Sequence, residues 1–231
     1  EYLMNITSNL QKKNLLLLIL LLSVLLVSLK WILSFIYFDE DIALRVINDS
    51  TDGTYYPIIK SFSEFNFSPS YSQKIDNLKI ISFPVLSLFI NSFFFKILGS
   101  YSFIFLEVFC TAFFIFIFYN IFLKLNFSIF YSIFCSIFLF ILPTLLTDLT
   151  FINIKSLDLL TVNFQKFYSM RFPRPIISNL FFFSFIYFLI NFYIKKNDFT
   201  KSFYILSALM GITFNAFFYL FFTEFFLFLM V

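Results

Sequence analysis

Three consecutive acids, Asp39, Glu40 and Asp41, and a pair of arginines set among prolines, Arg171 and Arg174 in RFPRP, are the residues of this chain best suited to chemistry. A run of carboxylates can hold a hard divalent cation, magnesium or manganese, through oxygen ligands, or leave one carboxylate free as a general base. Guanidinium forks match phosphate oxygens, and Pro173 and Pro175 reduce the entropy lost when those forks engage. Brought to one surface, the two groups would activate an acceptor hydroxyl and neutralise a leaving phosphate. Each also has a plainer reading. An acidic run after an apolar helix is a solvated flank that helps set orientation, and paired arginines anchor to lipid headgroups.

Composition removes most other chemistries. The chain has no His, which excludes Ser-His-Asp and Cys-His catalysis and imidazole metal sites. Its glycines, Gly53, Gly99 and Gly211, are too few and too scattered for a Walker loop or a dinucleotide fingerprint. Cys110 and Cys135 both lie in apolar runs and read as packing residues. Apolar residues make up 61% of the chain and charged residues 13%, with a mean hydropathy of +0.92. Soluble domains carry about 25% charged residues, so an all-α, polytopic transmembrane protein is expected. The 43 Phe residues read as a bias of base composition filling lipid-facing positions. A net charge of +3 with dispersed bases makes no case for nucleic acid; the expected partners are membrane lipids.

The elements that must position these residues follow from the apolar runs. A first helix is expected over about 14–38, followed by an outer loop, 39–79, whose seven acids against four bases leave it at −3. Apolar segments follow at about 80–98, 101–123 and 127–145, then a polar loop at 146–175 and helices at about 176–194 and 202–231. Within the first loop, DIALRVIND suits a short interfacial helix, TDGTYYP a turn, and SFSEFNFSPSYS a strip lying along the headgroups. Lys12 and Lys13 place the N-terminus inside and the 39–79 loop outside, while the basic hairpin KKNDFTK at 195–201 also belongs inside. Three full crossings between the two polar loops would contradict that. We therefore expect segment 80–98 to be interfacial or re-entrant, which brings both polar loops to the outer face.

Lys30 and Trp31 read as an interfacial snorkelling pair. Glu107, inside an apolar run, is expected to face a cavity or a partner, with Lys96 or Lys124 as candidates. Glu224 takes no role from sequence alone. The chain opens at Glu1 and stops at Val231 within an apolar run, as a fragment of a longer reading frame would, with Met4 as a candidate start.

The order of features resembles the N-terminal part of bacterial C-type (GT-C) integral-membrane glycosyltransferases. The shared features are a first helix, an outer loop opening on Asp39, Glu40 and Asp41, the string DGTYY at 52–56, and the proline-led, glycine-ended segment FPVLSLFINSFFFKILG at 83–99. The likeness covers about residues 14–145, and RFPRP extends it. The chain departs from the family at Ser82-Phe83-Pro84, where Lys-Pro-Pro or Tyr-Pro-Pro is usual, and at Glu107, where an Arg is found. The resemblance implies transfer of a sugar from a polyprenyl-phosphate carrier to a cell-envelope acceptor in the bacterial inner membrane. It makes Asp39 the catalytic base and Glu40 or Asp41 a metal or acceptor ligand; Arg171 and Arg174 are phosphate contacts on chemistry alone. The alternative is a non-enzymatic polytopic protein, such as a glycolipid flippase or small-solute carrier, and a structural subunit is the third possibility.

Overall fold

The computed structural model describes residues 2–38, 42, 55–67, 85–147, 174–195 and 199–230. Among the described residues it is all-helical, with eight helices and no strand. They are α1 (Tyr2–Phe38), α2 (Tyr55–Ser63), α3 (Val85–Leu98), α4 (Tyr101–Lys124), α5 (Ile129–Thr147), α6 (Arg174–Lys195), α7 (Phe199–Ala216) and α8 (Phe218–Leu229). Among the described residues, two apolar stretches are long enough to cross a membrane, Tyr101–Lys124 and Ile176–Ile194. At 24 residues the first is about 36 Å long, against the roughly 30 Å of a bilayer's hydrocarbon. Helix α3, with 14 residues, is only about 21 Å long.

The chain divides into two compact units, each discontinuous in sequence: Glu1–Asp39 with Glu107–Ser169, and Glu40–Leu106 with Met170–Val231. In the first unit, α1 turns Ile19, Ser23, Val27 and Trp31 inward, one residue in four, while Leu16, Leu17, Leu20, Leu21 and Leu25 stay exposed. Such an apolar exterior suits hydrocarbon better than water. Helix α4 ends in a Schellman motif. Asn126 adopts φ 66°, the Phe127 amide reaches back to the Phe122 carbonyl at 3.1 Å, and the two rings meet edge-on at 5.4 Å.

In the second unit α2 packs on α3, and α6, α7 and α8 form a three-helix group that α3 also joins. Of the turn expected at TDGTYYP, residues 51–54 lie outside the described residues, and its last three belong to α2 instead. Tyr55, Tyr56 and Pro57 open a helix, because proline is tolerated in a first turn where amides have no intrahelical acceptor. Its buried residues, Tyr55, Ile58, Ile59 and Phe62, recur at the spacing of one helical face. Phe62 is therefore core and not part of a headgroup strip. Helix α3 presents the small polar residues Ser87 and Ser92 to its neighbours, which lets backbones approach closely. Gly99 then ends it at φ +57°, donating its amide to the Phe95 carbonyl at 2.8 Å.

A second difference from the sequence reading is the run 202–231, which forms two helices broken at Phe217. No Pro or Gly causes the break. Phe217 is extended, and the Ala216 carbonyl freed by the break accepts a hydrogen bond from the Ser87 hydroxyl of α3 at 3.3 Å. Replacing an intrahelical partner with a tertiary one makes the break affordable in a buried setting, where an orphaned carbonyl would be costly.

Candidate functional site

Asp39, Glu40, Asp41 and Arg171 lie outside the described residues. Arg174 is the first residue of α6, but its side chain is not among those described. The segments 43–54, 68–84 and 148–173, including most of DIALRVIND and of the second polar loop, likewise lie outside. Among the described residues, no group of three or more His, Cys, Asp or Glu could hold a metal ion.

What the second unit does assemble is an aromatic cleft of about 350 Å³ between α2 and α3, with a cation on its wall. Helix α3 supplies Phe89, Ser92, Phe93 and Lys96, four residues that share one helical face. The end of α2 and the turn after it supply Phe62, Ser63, Phe65 and Phe67. Phe62 and Ser92 are buried at the base, whereas Phe65 and Phe93 are 68% and 63% exposed. Phe67 stands 5.2 Å from the Phe89 ring and 5.5 Å from the Phe62 ring, centroid to centroid, so the aromatic wall is continuous.

The cleft depends on one strained residue. Helix α2 closes with the Phe65 amide bonded to the Phe62 carbonyl and the Asn66 amide to the Ser61 carbonyl, both at 3.0 Å, which places Phe65 at the left-handed position. Glycine or asparagine normally stands there. Phe65 has φ 63°, at a cost of about 1–2 kcal/mol for a bulky side chain. That backbone carries its ring under the Lys96 ammonium, whose Nζ lies 3.6 Å from the ring centroid. An exposed cation–π contact returns only about 0.5–1 kcal/mol, so stability alone does not explain a phenylalanine at this position. Strain of this kind is characteristic of binding sites.

The first unit contains a different polar feature. The Trp31 indole donates to the Glu107 carboxylate at 2.7 Å, with Trp31 7% and Glu107 2% exposed. The interfacial reading of Trp31 is thereby corrected. Its ring is buried with its N–H paired to an acid, so the polar tip of the indole does not need the interface. Lys96, one expected partner of Glu107, is engaged with Phe65. A groove of about 580 Å³ lined by Leu16, Leu17, Ile19, Leu20, Phe109, Ala112, Phe113 and Phe116 has walls of hydrocarbon only and offers no group for chemistry.

Sequence reasoning passed over the cleft, although a signal was present. Phe62, Phe65 and Phe67 alternate with polar residues just before a helix that carries Phe89, Phe93 and Lys96 at intervals of four and three. From sequence alone Lys96 reads as a candidate partner for Glu107, because the turn that brings Phe65 beneath it depends on an unusual backbone conformation. Compared with family models, curated proteins and solved structures, the chain matches none.

Proposed function

We propose that this chain is an integral membrane protein acting on a lipid-linked phosphate, and specifically a glycosyltransferase that moves a sugar from a polyprenyl-phosphate carrier to a cell-envelope acceptor. The observation that carries the reading is the cleft of Phe62, Phe65, Phe67, Phe89 and Phe93 with Lys96 beside them. An isoprenoid chain is apolar and its phosphate anionic, and a wall of rings ending in an ammonium matches both. In sequence the cleft's first helix follows closely on Asp39, Glu40 and Asp41. On this reading Asp39 accepts the proton of the acceptor hydroxyl, and Glu40 or Asp41 holds the acceptor or a divalent cation. Lys96 holds the donor phosphate in ground and transition states alike, and Arg171 and Arg174 neutralise the charge that develops as it leaves.

The test is transfer by the full-length protein in lipid nanodiscs from a radiolabelled polyprenyl-phosphate sugar. Asp39→Asn is expected to abolish transfer while donor binding persists, and Lys96→Met to raise the donor KM with little change in kcat. Unchanged transfer by a correctly inserted Asp39→Asn protein would remove the base assignment. Donor binding no tighter than that of the neutral polyprenol would remove the phosphate reading. Sugar-lipid crossing the bilayer without transfer would establish the flippase instead.

A further inference from the structure

In the second unit a fully buried acid sits within an otherwise apolar seam. Glu224 of α8 has no exposed surface. Its helical neighbours Phe221, Leu227 and Phe228 pack against a core of Phe185 and Leu189 from α6 and Leu206 and Met210 from α7. One helical turn beyond Met210, Thr213 places its hydroxyl oxygen 2.9 Å from Glu224 Oε1 and 2.9 Å from the Leu209 carbonyl oxygen. Glu224 Oε2 has no hydrogen-bond partner. The titratable side chains described on the three helices are Tyr187 and Tyr193 of α6, Lys201 and Tyr204 of α7, and Tyr219 of α8. Tyr193, Lys201, Tyr204 and Tyr219 are exposed and Tyr187 is half-buried, and Glu224 forms its hydrogen bond with Thr213 instead.

Counting protons decides the state of this site. A hydroxyl carries one hydrogen, so Thr213 cannot donate to both the Leu209 carbonyl and a Glu224 carboxylate. With Glu224 ionised, one of the two short contacts would have no proton in it, and a charge would stand in an apolar seam with one oxygen unbonded. With Glu224 neutral, its own O–H donates to the Thr213 oxygen, and Thr213 donates to Leu209. Both contacts are then satisfied, and the bare Oε2 is a weakly basic carbonyl oxygen. Helix α8 is joined to α7 through the single extended residue Phe217.

We propose that Glu224 is a proton-binding site, holding its proton in the chain Glu224–Thr213–Leu209, and that release of this proton requires α8 to leave the seam. An ionised carboxylate needs water, and it reaches water only if α8 swings away from α6 and α7. Proton occupancy and the closed packing of α8 are thereby linked, whichever donor the Lys96 cleft takes.

Infrared spectroscopy of the full-length protein in nanodiscs at neutral pH tests this. The wild-type minus Glu224→Gln difference is expected to contain a carboxylic-acid C=O band and no carboxylate bands, because glutamine reproduces the shape of the neutral acid. Carboxylate bands in that difference would overturn the proposal. Thr213→Val keeps the acid and removes its acceptor, so the C=O band is expected at higher frequency; an unmoved band would equally refute the hydrogen-bonded chain. Tying α8 to α7 through a disulfide in a Phe203→Cys, Phe228→Cys protein, where the two rings lie 5.7 Å apart, is expected to slow the deuterium shift of the acid band markedly. Deuteration at the same rate with and without the link would refute the coupling to α8 motion.

Discussion

Removing the hydrogen bond between Trp31 and Glu107 offers a direct measure of what holds α1 against α4. The bond is short, 2.7 Å, and both partners are almost fully buried, so neither has water to fall back on when the other is lost. Trp31→Phe keeps most of the ring and removes the donor. Glu107→Leu removes the acceptor and leaves the indole N–H buried. Each single change is expected to cost about 1–3 kcal/mol through the lost bond and the disturbed packing around it, Trp31 and Glu107 both having further interactions. The cycle cancels those further interactions, so the coupling between the two sites isolates the bond. Soluble proteins give about 0.5–1.5 kcal/mol for a typical hydrogen bond, and double-mutant cycles between membrane helices average about 0.6 and reach about 1.7. A coupling of about 1–1.5 kcal/mol is expected, at the upper end of either range because the contact is short and dry. Trp31 is the only Trp, so unfolding in bicelles is best followed by far-UV circular dichroism, which serves all four proteins alike. Costs that add to within about 0.3 kcal/mol would show that the two side chains are neighbours without being energetically joined.

Two further expectations follow from the described geometry. Phe65→Asn is expected to change stability by less than about 0.5 kcal/mol, since relief at φ 63° offsets the lost cation–π contact, while affinity for a lipid phosphate falls severalfold. Thermal denaturation with a parallel binding titration checks it, and a protein that loses stability but binds normally would refute the role given to the strained turn. Cys110, 1% exposed, is expected to resist N-ethylmaleimide in intact membranes and to react on unfolding. Rapid native labelling, read by peptide mass spectrometry, would contradict the packing of α4.

Much of the helical architecture was legible in the composition and length of the apolar runs. The run 101–123 is helix Tyr101–Lys124, and the run 176–194 lies within Arg174–Lys195. Such runs leave the backbone little choice, because amides away from water must be paired within the segment and a helix does that locally. Pro57 was misleading because proline marks both turns and first turns of helices, and only the partner face of α3 selects between them. Trp31 was misleading for a related reason: an indole beside a lysine suits an interface, but an acid 76 residues away in sequence offered its N–H a buried partner. The acids and arginines singled out first, Asp39, Glu40, Asp41 and Arg171, lie outside the described residues, and what they do rests on chemistry and resemblance.

The sequence by itself determined that this chain is helical and rich in apolar segments, that His and nucleotide-loop chemistry are absent, and that acids are concentrated after the first helix. These are properties of composition and local order. Tertiary structure decided that a phenylalanine would take a left-handed turn under Lys96, that an unbroken apolar run would divide at Phe217 where Ser87 meets the Ala216 carbonyl, and that Glu224 would be sealed against Thr213. The first two outcomes depend on a group far away in sequence, and the third on one 11 residues off across the helix break, each meeting a charge, a carbonyl or a carboxyl oxygen. Local propensity sets the cost of these departures, and only the folded neighbour determines whether it is met.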